Sequence, residues 1–95
     1  MINSFRDESL QTFYDEGKSR GIPATIYSSL CRKLDIIDAA THEADLRVPP
    51  GNKFEHLEGD MSHLCSIRVN KQYRLIFEWR DGQAIDIYLD PHTYR

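Results

Sequence analysis

The chain has 95 residues, 40% of them hydrophobic, which suits one compact domain spanning 1–95 and leaves no material for a second core. Twelve Lys and Arg against fifteen Asp and Glu give a formal charge of −3, which excludes a generally cationic surface, so any contact with RNA must come from a local cluster. No apolar run is long enough to cross a bilayer and the opening MINSFRDESL lacks a secretory pattern, so a cytoplasmic protein with no membrane partner is expected.

Ile2 and Phe5 form a short apolar stretch that ends at Asp7, a residue type suited to an N-cap. Leu10, Phe13 and Tyr14 then fall three and four apart, on one helical face, and Gly17 or Gly21 can close that helix. Pro23 suits the first turn of a second helix, in which Ile26, Leu30, Leu34 and Ile37 make a core-facing stripe. Thr41 to Gly51 mixes charge with Pro49 and Pro50 and reads as a connection.

Beyond Gly51 the period changes to two. A strand is expected around Lys53 to Glu58, and Cys65, Ile67 and Val69 alternate with Ser66, Arg68 and Asn70 in the next. After a turn at Asn70-Lys71-Gln72, Tyr73, Leu75, Phe77 and Trp79 alternate with Arg74, Ile76 and Glu78. Asp81-Gly82 is a hairpin signal, and Ile85, Ile87 and Leu89 mark the apolar face of a last strand. The pattern predicts an α+β fold in which two N-terminal helices cover the apolar face of an antiparallel, mostly meander sheet. Cys31 and Cys65 have no C-x-x-C or His spacing and read as buried thiols. His56 and His63 lack a third ligand at suitable spacing, so neither a metal site nor a cofactor is expected.

Strand alternation puts Arg74 and Arg68 on the face away from the helices. A guanidinium there can hold two phosphate oxygens at once, whereas as a plain surface residue Arg74 would pair with Glu78 or Asp86. Around it, Pro49-Pro50-Gly51-Asn52, Leu57-x-Gly59-Asp60, Ser66-Ile67-Arg68-Val69-Asn70, Tyr73-Arg74 and a closing Asp90-Pro91-His92 follow in order. Together with Ile2, Ser4, Phe5 and the run from Lys33 to Thr41, these motifs resemble the HigB family of the RelE superfamily over essentially the whole chain.

The resemblance implies a RelE-like microbial RNase fold and the toxin of a type II toxin–antitoxin system. Such a toxin inhibits translation by cutting mRNA in the 30S A site of the ribosome, without a metal, and is restrained by a HigA-type helix-turn-helix antitoxin. Operator DNA would be contacted only through the antitoxin complex. In that chemistry a 2′-OH attacks the adjacent phosphate. The resemblance makes Arg74 the phosphate binder and His92 the acid for the leaving 5′ oxygen. Glu55 stands where many relatives carry His, and it resembles the glutamate base of the YoeB-type toxins. Arg68 matches a family position and is an expected RNA contact, with Tyr94 or Tyr88 replacing the family tyrosine that is Pro91 here. Apart from the resemblance, Lys71 and Lys53 are expected RNA contacts where they converge on that face, each alone reading as solvated charge. Glu58 replaces a family lysine and is expected to modulate activity, since its charge repels a phosphate. Regular strand parity would put Glu55 and Glu58 on opposite faces. Arg74 with His92 favours an active nuclease; Glu58 and Pro91 favour the alternative, a weakly active or inactive toxin fold acting through antitoxin binding and operon co-repression.

Overall fold

A computed structural model describes residues 1–91, so His92 and Tyr94 lie outside the described residues. Asp7 starts the first helix, α1 (Glu8–Glu16), as its residue type predicts: its Oδ1 accepts from the Leu10 amide at 3.1 Å. Gly17 ends α1 in the left-handed region, φ 81°, with its amide on the Phe13 carbonyl. Leu10 and Phe13 are buried, while Tyr14 sits at the edge of the stripe and packs on Phe5 with ring centroids 5.3 Å apart. The second helix, α2 (Tyr27–Ala39), begins later than expected, because Pro23 caps a separate 3-10 turn (Ala24–Ile26) that leads into it.

Ile26, Leu30, Leu34 and Ile37 are all buried, as their spacing requires. Cys31 is exposed, contrary to expectation, since its place on α2 lies off that stripe. Cys65 is buried, and burial pushes its thiol up to about 12.

The sheet runs β1 (Glu55–His56), β2 (Cys65–Arg68), β3 (Arg74–Arg80) and β4 (Gln83–Asp90), a purely antiparallel meander in that spatial order. Cys65, Ile67, Leu75, Phe77, Ala84 and Ile87 face the helices and form one core with Leu10, Leu30, Leu34 and Ile37. Each such large side chain contributes roughly 1.5–3 kcal/mol by leaving water. Asp81 and Gly82, at φ 55° and 78°, make the two-residue hairpin that Asp-Gly predicts.

Two strand expectations change. The first strand is only two residues long, because Lys53 at φ 48° closes a 3-10 turn (Pro50–Asn52) and Glu58 caps another (Gly59–Met61). Ile85 does not share a face with Ile87. It pairs with Glu78, Tyr88 pairs with Ile76, and two residues of β4, Asp86 and Ile87, oppose Phe77 alone. Asp86 takes the left-handed conformation, φ 56°, and Ser4 holds it there: Ser4 Oγ accepts from the Asp86 amide at 2.9 Å and lies 3.3 Å from its Oδ1. Ser4 belongs to a segment that runs parallel to β4, with bridges Ile2–Ala84 and Phe5–Ile87, and so covers the sheet edge.

One buried cation joins the layers. Lys33 of α2 is 6% exposed, and its Nζ donates to Asn52 Oδ1 at 2.6 Å. Asn52 is fully buried, and its Nδ2 donates to the carbonyls of Leu46 and Val48 at 3.0 and 3.1 Å. Burial, followed by the charge of Arg32, lowers the Lys33 pKa. Replacing Asn52 by Ala strands an ammonium and two carbonyls in the interior and is expected to cost about 2–3 kcal/mol. Lys33→Met leaves only a neutral carboxamide oxygen unmatched and should cost less. Urea titrations of the two variants check the order.

Candidate active site

The outer face of the sheet is built by register. Arg74 opens β3 and faces Arg68 of β2 on one side and Asp90 of β4 on the other. Glu55 of β1 pairs with Ser66 of β2, so it shares that face. Like charges directly across a sheet repel, and two carboxylates offset this. Arg74 Nη1 donates to Glu55 Oε1 at 3.2 Å and to Ser66 Oγ at 3.5 Å, and Nη2 lies 3.6 Å from Asp90 Oδ2. Arg68 is drawn the other way, its Nε donating to the Asn70 carbonyl at 3.1 Å. Neither Glu78 nor Asp86 takes the role expected of an acidic partner. Glu78 pairs with Arg80 at 3.7 Å, and Asp86 is occupied with Ser4.

Arg74 is mostly buried along its length, with only 13% of the side chain exposed, and it separates two clefts. The first, of about 240 Å³, is lined by Lys53, Arg68, Asn70, Lys71, Arg74 and Glu55. Four cations and one carboxylate therefore converge in a chain of net negative charge, and the cleft suits a phosphodiester. Lys53 reaches it through its left-handed backbone at the foot of β1. Lys71 comes from the β2–β3 turn, which Asn70 fixes by accepting from the amides of Gln72 and Tyr73, both at 2.8 Å.

The second cleft, of about 570 Å³, also has Arg74 and Glu55 in its wall, together with Glu58, Ile76, Tyr88 and Asp90. The short strand thus removes the parity conflict: Glu55 lies beside Arg74 on the sheet, while Glu58 reaches the same region from the turn that follows. The sequence reading missed Asp90 as a partner of Arg74. Its signal was register, which depends on the bulge at Asp86. It also missed Arg6, whose guanidinium lies 4.1 Å from the centroid of the Tyr88 ring.

A second charged group fixes β1 from the helical side. Glu43 Oε2 accepts from Arg47 at 3.0 Å, and Oε1 lies 3.1 Å from His56 Nε2. Chiefly through the Arg47 bond, and despite some burial that opposes it, the Glu43 carboxyl is held below its ordinary value.

The α+β meander with its guanidinium-centred outer face has the architecture of the RelE-like toxins of type II toxin–antitoxin systems. The model of such toxins of the HigB type matches residues 3–92, and the chain belongs to that family. Toxin HigB-1 of Vibrio cholerae is 59% identical over 95 residues, covering 99% of this chain and all of the relative. An uncharacterized protein of Haemophilus influenzae is 47% identical over 91 residues, 95% of this chain and 90% of its own. Endoribonuclease HigB of Proteus vulgaris is 31% identical over 93 residues, 97% of this chain and the whole of that protein. A toxin of such a system has an antitoxin as its partner. Among the described residues no helix is long and apolar enough to cross a membrane.

The depressed Glu43 pKa gives a pH prediction. Its folded value lies below its unfolded value, so its stabilising contribution is complete above about 4.5 and is lost as pH falls through the folded value. Carboxyl-carbon NMR should show Glu43 titrating below ordinary glutamate. Arg47→Ala, which removes the largest single cause, should restore it toward normal.

Proposed function

We propose that this toxin is an endoribonuclease that cuts translated mRNA in the ribosomal A site and so stops translation. The observation that carries the reading is the half-enclosed Arg74 guanidinium, 3.2 Å from Glu55 and facing a cleft rich in cations on the side of the sheet away from the core. The similarity to a relative named as an endoribonuclease supports it.

In this scheme Glu55 leaves Arg74 when a phosphodiester arrives and takes the 2′-OH proton. The freed O2′ attacks phosphorus, and Arg74 balances the charge that grows on the non-bridging oxygens. The bond from phosphorus to O5′ then breaks. His92 supplies the proton for the departing oxygen, leaving a 2′,3′-cyclic phosphate and a 5′-OH. These steps need only proton transfer and charge balance, and no metal is assigned to them. Lys53, Arg68 and Lys71 hold flanking phosphates, and Tyr94 is assigned a stacking contact. Because the whole chain is acidic, the ribosome presents the strand that the protein's own field does not gather. The antitoxin is assigned to the HigA helix-turn-helix type.

Induced without antitoxin, the protein should slow growth and cut mRNA within translated codons, while naked RNA is cut poorly. In a purified translation system Arg74→Ala should lower cleavage about 10²–10³-fold with the fold intact. Glu55→Gln, which keeps the shape but accepts no proton, should lose most of the rate. Undiminished cutting by a soluble Arg74→Ala protein overturns the assignment. Retained antitoxin binding with no cleavage by the wild type would instead leave a toxin fold acting through its partner.

Affinity for a single-stranded oligonucleotide should fall with salt, and each of Lys53→Ala, Arg68→Ala and Lys71→Ala should reduce the log–log slope by roughly 0.7. Fluorescence anisotropy across a salt series measures it.

A further inference from the structure

The larger of the two clefts contains more than cleavage requires. Its floor is Ile76, which lies on the outer face of β3 yet is only 2% exposed. Leu57, Met61 and Tyr88 also line it, and Met61 is 41% exposed. Arg6 stacks over the Tyr88 ring and restrains it. An apolar floor with a thioether and an aromatic in the lining suits a planar heterocycle and offers nothing to a phosphate. The phosphate-suited surface is next door, and Arg74 and Glu55 belong to both clefts. A strand whose phosphate lies on Arg74 therefore has a flanking base beside this slot.

We propose that the slot receives that flanking base and that Glu58 and Asp90, in its lining, select bases bearing an exocyclic amine. The inference rests on the RNA-cleaving reading above. Ionised carboxylates only accept hydrogen bonds. Adenine, cytosine and guanine each offer an amino group to them, whereas uracil presents two carbonyl oxygens and a single N–H. Uracil in the slot leaves acceptor facing acceptor in a partly desolvated site, which is the costly arrangement. Glu58 then has a task that does not conflict with its charge: it meets the base, and Arg74 meets the phosphate.

The test uses the full chain in a purified translation system with an mRNA of randomised codons, mapping the new 5′-hydroxyl ends. One position beside the cut should be depleted of uracil about tenfold against the other three bases. Glu58→Gln, which both donates and accepts, should shrink that depletion to about twofold, and Glu58→Lys, a donor only, should reverse it toward uracil and guanine. The readout is a ratio within each variant, so a change in overall rate does not obscure it. A second measurement follows the Met61 methyl resonance at low ionic strength with 2′-O-methyl oligo(A), oligo(C) and oligo(U). Tighter binding of the first two, weakened by Glu58→Gln, supports the slot even if the wild type cuts nothing, in which case only the cleavage reading falls. Equal use of uracil at every flanking position overturns the proposal. So does a depletion that both Glu58 variants leave unchanged. If Glu58→Gln weakens the antitoxin complex and moves neither base measurement, the cleft takes a basic side chain of the antitoxin and the proposal is wrong.

Discussion

The ammonium of Lys33, buried against the carboxamide of Asn52, fixes how the chain passes from the helical layer to the sheet. A charge in that position needs an acceptor, and the acceptor needs its own amide satisfied, which the carbonyls of Leu46 and Val48 do. Four positions on three stretches of chain are thereby held together. Lys53 follows Asn52 directly in a left-handed conformation, and Glu55 comes two residues later, where the two-residue strand sets it beside Arg74. The Pro-Pro-Gly-Asn sequence makes physical sense as a whole. The prolines and glycine turn the chain, and the asparagine ties the turn to the cation.

Electrostatic economy of a different kind shapes the outer face. Arg68 and Arg74 stand directly opposite each other, an arrangement that destabilises a sheet by itself. Carboxylates from β1 and β4, on either side of β3, draw Arg74 sideways, and a main-chain carbonyl holds Arg68. The result is a concentrated positive field on one side of Arg74 and an apolar, carboxylate-bearing hollow on the other. A net charge of −3 says nothing about such a division, because it averages over the two sides.

Features that depend on period and local chemistry were legible in the sequence. The Asp7 cap, the Asp81-Gly82 hairpin, the core stripe of α2 and the outward placement of Arg74 all follow from spacings of two, three or four. What escaped involved partners remote in the chain. Nothing in the spacing around Lys33 announces its burial, which depends on Asn52, nineteen residues on. Ile85 reads as a core residue until Ser4 is seen to hold Asp86 in a bulge, and the same bulge sets the register that brings Asp90 to Arg74. Arg74, Glu55 and Arg68 could be named from motif resemblance, but the convergence of Lys71 and Lys53 on them, and the division into two clefts, needed the folded chain with its shortened first strand.

The parallel segment along β4 also bears on how the molecule comes into being. Ile2 and Phe5 pair with Ala84 and Ile87, so this parallel pairing forms only when nearly the last strand has been translated. The sheet edge that the segment covers, and the Asp86 bulge that Ser4 supports, arise only with that last strand. A chain cut short by interrupted translation lacks both the covering partner for residues 2–5 and the Asp90 carboxylate beside Arg74.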